Sequence, residues 1–268
     1  MIKHVLVPLD GSPLAESVLD PVVRLVKATQ GSILLFHAVT PAEWFGMPAT
    51  DFVTKERKRA ALYLARLAER LGDQGIGIEE RIVTGEPSRA IATAAGKEKV
   101  DLIAMSTHGR SGVREWALGS VAERVLRSTL IPALIFRGKP VGRFSIRRIL
   151  IPMDGSEAAM EVLDPACDLA ESLMAEIVLL HVGKHIPETL ERAARSVNRR
   201  RIPEKLLLRK GDPTKVILET VQELDCDLIA MTPTGASQQE RIFFGSVAEE
   251  ILKKVERPIL LVRSRAGK

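Results

Sequence analysis

IKHVLVPLDGSPLAESVLDP (2–21) and IRRILIPMDGSEAAMEVLDP (146–165) are one pattern written twice. Each opens on a short apolar run, passes through Asp-Gly-Ser, and continues into a segment with helical spacing of apolar residues. The alignment extends without a gap to Val39 and Gly183 and pairs Pro8 with Pro152, Asp10 with Asp154, Asp20 with Asp164 and His37 with His181. Similarity at a fixed spacing over a domain-sized length is the mark of a duplicated unit.

The repeat resumes further on. VTGEPSRAI (83–91) faces LRKGDPTKVI (208–217), VDLIAMSTHG (100–109) faces CDLIAMTPTG (226–235), ALGSVAERVL (117–126) faces FFGSVAEEIL (243–252), and IPALIFR (131–137) faces RPILLVR (257–263). The offset between copies falls from 144 to 126, so the second copy is shorter by 18 residues between His181 and Gly211. The first copy carries a long basic helical stretch in that interval. The boundary lies in GKPVGRFS (138–145), which contains Gly and Pro.

Within one copy, apolar runs of five to seven residues alternate with helical patterns. Strands are predicted over 2–8, 31–38, 78–83, 100–105 and 131–136, and helices over 13–29, 52–71, 86–97 and 119–129. The strands are nearly continuous apolar runs, as expected where helices cover both faces of a sheet. Pro13 after Ser12 and Pro87 after Glu86 are helix-start signals. The β-α-β alternation with right-handed crossovers predicts a doubly wound parallel sheet, with strand order left open by the pattern. Ligands of such sheets sit beyond the strand ends where the winding reverses.

Composition bounds the function. The chain has 268 residues, 46% apolar and 27% charged, and a net charge of +5. Its charges are interleaved, and the basic stretch TKERKRAALYLARLAER (54–70) carries an apolar helical side, which reads as a solvated face rather than a nucleic-acid footprint. No run approaches the ~18 apolar residues of a membrane span, and the N-terminal run is too short for a signal peptide, so a cytoplasmic location is expected. Cys167 and Cys226 have no metal spacing and sit in apolar patterns, as buried thiols do.

Two segments at presumed strand ends carry the chemistry. Pro8-Leu9-Asp10-Gly11-Ser12 follows the first strand. Met105-Ser106-Thr107-His108-Gly109 follows the fourth, then nine residues, then Gly119-Ser120-Val121. The second copy repeats them as Pro152-Met153-Asp154, then Met231-Thr232-Pro233-Thr234-Gly235, nine residues, and Gly245-Ser246-Val247. Glycine permits close main-chain approach, and a helix opening at Gly119-Ser120 offers N–H groups and partial positive charge to an anion. Asp10 can accept from a ribose hydroxyl or a base amine. A second interpretation stands beside this one. Ser120 and Glu123, like Ser246 and Glu249, fit a capping box that needs no ligand, and Asp10-Gly11 fits a tight turn.

Taken together, these segments resemble the universal stress protein family over nearly the whole chain, in both copies. The ATP-binding branch of that family carries G-x2-G-x9-G-(S/T). Gly109, Gly119 and Ser120 match it here, as do Gly235, Gly245 and Ser246, while Ser106 and Thr232 replace the first glycine. The resemblance implies two tandem doubly wound five-stranded parallel-sheet domains of Rossmann-like type, at 1–138 and 145–268 with 139–144 as linker, and strand order 3-2-1-4-5. It implies ATP as ligand, with Mg2+ or Mn2+ bridging the phosphates, Asp10 and Asp154 on ribose or base, and Val39 (Gly183 in copy two) presenting main chain to adenine. It also implies that Ile131–Phe136 and Ile259–Val262 pair in an intramolecular pseudo-dimer, that two chains associate further, and that a protein partner reads the nucleotide state.

The copies differ where phosphates would lie. Copy one has Arg110 and Arg114, and copy two has Ala236 and Glu240 in their places, with Pro233 removing an N–H that Thr107 retains. Tighter binding is therefore expected in copy one. His37 and His181 read as packed or hydrogen-bonded side chains. His108 lies in the glycine loop, and Trp44 and Phe45 lie in a long connection that could pack or cover. No Walker A, GxGxxG or catalytic triad is present, so binding with at most slow ATP hydrolysis is expected rather than dedicated catalysis. A scaffold with degenerate sites is the alternative. An adenylating enzyme would need a catalytic signature that the chain lacks.

Overall fold

The computed structural model describes residues 1–41, 49–107, 118–137, 145–233 and 244–264. The chain packs as two units. One comprises Ile2–Ile131 with Gly138–Val141; the other comprises Met1, Pro132–Arg137 and Gly142–Lys268.

The first unit contains β1 (His4–Pro8), α1 (Pro13–Glu16), α2 (Leu19–Thr29), β2 (Ser32–Val39), α3 (Ala49–Gly72), β3 (Gly77–Thr84), α4 (Pro87–Lys97), β4 (Leu102–Ser106) and α5 (Ser120–Ser128). Its strands run parallel in the order β3-β2-β1-β4. Val5, Leu6 and Val7 are fully buried, as are Ile33–Phe36 and Leu102–Ala104. Continuous burial means both faces are covered, as the apolar runs demanded. β3 forms the edge and is largely exposed.

Helix starts follow their local chemistry. The Ser12 Oγ accepts from the Ala15 N–H at 3.1 Å, and Pro13 takes the first helical position. Glu86 accepts from the Arg89 N–H at 2.7 Å ahead of Pro87. The predicted helix over 13–29 is broken in two. Ser17 donates its hydroxyl to the Leu14 carbonyl at 2.7 Å at the end of α1, and the second copy breaks at the same place with Glu161 there.

The following strand β5 (Ala133–Phe136) belongs by its packing to the second unit. There it joins β6 (Arg148–Pro152), α6 (Glu157–Met160), α7 (Leu163–Leu173), β7 (Glu176–Val182), α8 (Glu188–Arg199), β8 (Glu204–Arg209), α9 (Pro213–Glu223), β9 (Leu228–Met231), α10 (Ser246–Lys254) and β10 (Ile259–Leu261). The parallel order is β8-β7-β6-β9-β10, the 3-2-1-4-5 winding in full. β10 then pairs antiparallel with β5, Leu260 opposite Leu134. The ladder expected between the last strands of the two repeats is thus present, and all seven residues of these two strands are buried.

One shared residue is structural. Asp101 accepts from the Lys3 and His4 N–H groups, each at 2.9 Å, and Asp227 accepts from Arg147 and Arg148 at 2.7 and 3.1 Å. Each carboxylate fastens the start of its copy's first strand to the residue before its fourth. In the second unit, Arg200 holds Glu171 through two bonds of 2.6–2.7 Å and also bonds Asp168. Burial works against the Asp168 carboxylate, but the Arg200 bond and the Met1 ammonium overcome it, so its pKa is lowered. The Arg200 bond likewise lowers Glu171.

Replacing Asp101 by Ala removes one acceptor from two main-chain donors and is expected to cost about 1–2 kcal/mol in chemical denaturation. Arg200→Ala is expected to cost about 1 kcal/mol at neutral pH, because solvent screens a partly exposed pair. Depressed carboxylate pKa values stabilise the fold above the unfolded values of about 4. The difference between wild type and Arg200→Ala should therefore fade as pH falls through that range and below, read by melting temperature against pH. A difference that grows in acid would contradict the assignment.

Candidate functional site

β1 and β4 lie side by side, with Val5 opposite Leu102 and Leu6 opposite Ile103. The chain leaving β1 turns toward α1, while the chain leaving β4 leads to α5. A cavity of about 290 Å³ opens at their carboxyl ends. Pro8, Leu9 and Asp10 line it from the first segment, and Met105, Ser106 and Thr107 from the second. The start of α5 adds Gly119, Ser120 and Val121. These nine residues, singled out by the repeat, converge on one space.

Main-chain bonds hold the two segments. The Leu9 N–H donates to the Phe36 carbonyl at 2.8 Å, and the Gly119 N–H donates to the Thr107 carbonyl. Asp10 Oδ1 accepts from the Ser12 N–H at 2.9 Å, an Asx turn that aims the carboxylate. Thr107 is 2% exposed, so the end of β4 forms the floor rather than the rim.

The capping box at Ser120 does not form. Gly119 takes the N-cap position, Ser120 is the first helical residue, and no side chain bonds back to the helix start. The same holds for Gly245 and Ser246. Among the described residues, a glycine cap leaves the leading N–H groups of α5 without a side-chain acceptor, at a cavity that Ser120, Val121 and Ala122 line.

Some lining residues lacked a legible signal. Phe36, Ala38, Pro87, Ile91, Ala15 and Ala122 supply apolar walls. Phe36 and Ala38 alternate along β2 and so share one face, and Pro87 sits in the Gly-x-Pro pattern of the repeat. Val39 is 3% exposed and is not among the lining residues. Its carbonyl accepts from the Gly85 N–H at 3.0 Å, so the strand end that borders the cavity is Ala38. Gly109, Arg110, Arg114, His108, Trp44 and Phe45 lie outside the described residues, as do Gly235, Ala236 and Glu240.

The second unit repeats the parts with different surroundings. Asp154 Oδ1 accepts from the Ser156 N–H at 2.9 Å and from its hydroxyl at 2.6 Å. Met153, Met231 and Thr232 are buried and Pro152 is half-buried. The Gly245 N–H donates to the Pro233 carbonyl at 2.9 Å, opening the helix that continues through Ser246 and Val247. The short connection after β7 brings Pro187 against the Asp-Gly-Ser turn, where a Cβ on Gly155 would lie 3.5 Å from Pro187 Cβ. Arg192 of α8 pairs with Glu157 of α6 at 2.5 Å and keeps that approach.

The paired histidines also part ways. A Cβ on Gly183 would come within 2.3 Å of His181 Nε2, so this ring fills the place that the Val39 side chain takes in copy one. His181 Nδ1 donates to the Met153 carbonyl at 2.8 Å. The His37 ring instead stands edge-on to Tyr63, with centroids 6.1 Å apart. Burial, reinforced by Glu16, drives the Tyr63 phenol well above its ordinary range. Both cysteines are buried, and desolvation raises each thiol to about 11. Among the described residues no three His, Cys, Asp or Glu gather as a metal cluster.

Comparison with known proteins agrees with the duplication. The model of the Universal stress protein family matches residues 1–137, 145–201 and 183–263. The chain is 27% identical over 144 residues to Universal stress protein MJ0531 of Methanocaldococcus jannaschii, covering 51% of this chain and 83% of that one. It is 30% identical over 148 residues to Universal stress protein YxiE of Bacillus subtilis, covering 51% of this chain and all of that one. Each of these relatives therefore corresponds to half of the chain. A universal stress protein from Archaeoglobus fulgidus superposes over the whole chain with a TM-score of 0.81 at 24% identity, covering 97% and 98% of the two chains, a likeness of fold. The chain belongs to the universal stress protein family, with the family's unit present twice in one polypeptide.

Proposed function

We propose that the first unit binds ATP in the cavity beyond β1 and β4, and that the chain is a stress-response regulatory protein whose nucleotide state is read by a partner. The observation that carries this reading is the convergence of Asp10, Ser106, Thr107 and the glycine-capped start of α5 on one apolar-walled space. At about 290 Å³ the cavity lies near the lower end of small-molecule pockets. An adenine ring and ribose suit its Phe36, Ala38, Pro87 and Ile91 walls. The phosphates then run to the α5 start, where main-chain N–H groups favour an anion.

Asp10 is the one ionisable side chain among the described residues lining this cavity. As an acceptor it suits the ribose hydroxyls. A single carboxylate beside a polyphosphate also fits a Mg2+ or Mn2+ that keeps its phosphate and water ligands and asks little of the protein. Such an ion would supply charge neutralisation to the phosphates. Among the described residues no second acid or base lines the cavity, which supports retention of the nucleotide over its turnover.

The second unit holds the same parts less openly, and we place its affinity lower. Pro187 stands against the Asp154–Ser156 turn, and Pro233 has no N–H to offer. These features favour an architectural role for that unit, the reading in which its nucleotide site is degenerate.

Titration of ATP into the intact chain tests this. Asp10→Ala is expected to weaken ATP binding at least about tenfold, the loss of roughly 1.4 kcal/mol or more that a charged acceptor contributes. Asp154→Ala should change it less than about twofold. Equal losses in the two variants would remove the asymmetry, and a wild-type chain that binds no adenine nucleotide would remove the function.

A further inference from the structure

A second concave surface lies between α4 and α5, whose first residues Pro87 and Ser120 line the cavity. It is a trough of about 470 Å³ lined by Arg89 and Arg124, with Thr93 and Ser128 further along. Two of its neighbours on the chain belong to the cavity. Pro87 precedes Ser88 and Arg89, and Ser120 lies four residues before Arg124 on α5. Residues four apart share a helix face, with Cβ atoms about 5–6 Å from each other. Helical side chains lean toward the N-terminus, so Arg124 leans toward the turn that Ser120 opens.

The Arg124 guanidinium is held there loosely. Its partner is Glu86 Oε1 at 3.5 Å, and the Arg124 side chain is 64% exposed. Glu86 has other bonds. Its Oε2 accepts from the Ser88 hydroxyl at 2.6 Å and from the Arg89 N–H at 2.7 Å. Arg89 has no carboxylate partner among the described residues. Two arginines thus face one carboxylate, which leaves the trough with net positive charge beside the end of the cavity where an anion is favoured.

Copy two reverses the charge at one of these positions and adds a charge at two others. Glu250 stands for Arg124, Glu219 for Thr93, Lys215 for Arg89, Lys254 for Ser128 and Asp212 for Glu86. Lys215 pairs with Glu219 at 3.8 Å, and Lys254 with Glu250 at 2.8 Å. Each lysine is neutralised within its own helix, and Asp212 adds a carboxylate. No net positive charge is left for a phosphate.

We infer that this trough receives the terminal phosphates of a nucleotide seated in the cavity, with Arg124 moving from Glu86 to the phosphate and Arg89 supplying the second charge. This assignment rests on the nucleotide reading above and adds a selectivity to it. The site takes nucleoside polyphosphates and discriminates against monophosphates, which do not reach the trough. Arg124 is then a specificity residue, and Glu86 a competing anion that the polyphosphate displaces.

Paired titrations of ATP and AMP at one fixed, low salt concentration test it. Arg124→Gln is expected to weaken ATP about tenfold and leave AMP within about twofold. Glu86→Gln keeps a side-chain oxygen to cap α4 and removes the competing charge, so ATP should bind about threefold tighter, again with AMP little changed. ATP and AMP weakening together in Arg124→Gln, or ATP unaffected by it, would overturn the trough and leave the cavity intact as a nucleotide site. ATP weakened by Glu86→Gln would overturn it as well. A wild-type chain that binds neither nucleotide would overturn both assignments. Melting curves of both variants confirm that a lost fold does not explain lost binding.

Discussion

The pairing of β1 with β4 is the constraint on which the rest depends. Parallel strands buried on both faces force their connecting helices to opposite sides of the sheet. At the one place where the winding reverses, adjacent strands send their chains apart and no helix covers the gap. Main-chain groups that would be paired inside a helix or ladder come to an edge there. In the first unit that edge is the cavity bounded by Asp10, Thr107 and Ser120. The cap at Gly119 matters for the same reason. A serine or aspartate cap would satisfy the helix start internally, whereas glycine leaves it for an incoming anion.

Duplication kept this constraint and relaxed its surroundings. Both copies retain the strand pairing, the aspartate clamps at Asp101 and Asp227, and the Asx turns at Asp10 and Asp154. These belong to the scaffold, because each satisfies main-chain groups that the sheet leaves open. What diverged is what faces the site. Shortening the connection after β7 brought Pro187 to Gly155, and replacing Val39 by Gly183 let His181 turn onto the Met153 carbonyl. Charge diverged in the same sense, from arginines at 89 and 124 to internally paired lysines and glutamates. The same fold thus carries Arg89 and a loosely paired Arg124 on α4 and α5 in one copy, and lysines paired within α9 and α10 in the other.

Much of the site was legible because its residues come in short segments with strong local signals. Asp-Gly-Ser after an apolar run and Gly-Ser before a helical one mark strand ends, and their repetition ties the two together. Other features left no such trace. Ser120 with Glu123 has the spacing of a capping box, yet Gly119 takes the cap, because spacing alone does not say which residue enters the helix first. Val39 and Ala38 differ only by strand phase at the last residue, which the neighbouring Gly85 bond decides. The break after Glu16 recurs after Met160, where Glu161 stands for Ser17, so no one side chain marks it in the sequence. Glu86 and Arg124 are 38 positions apart, so their ion pair is visible only once α4 and α5 pack.

The amino-acid sequence by itself determined that the chain is a duplicated α/β unit and which segments end its first and fourth strands; among the described residues no helix is long and apolar enough to cross a membrane. These follow from local periodicity and from comparison of the chain with itself, since burial of a strand or helix face is written in the residues of that face. Only the tertiary structure decided which segments meet around one cavity, that β5 pairs with β10 in the second unit, and why the two copies present different surroundings to the same turn. Such facts depend on distances between residues far apart in sequence. Those distances are set by how whole helices and strands pack, and no single stretch of the chain encodes them.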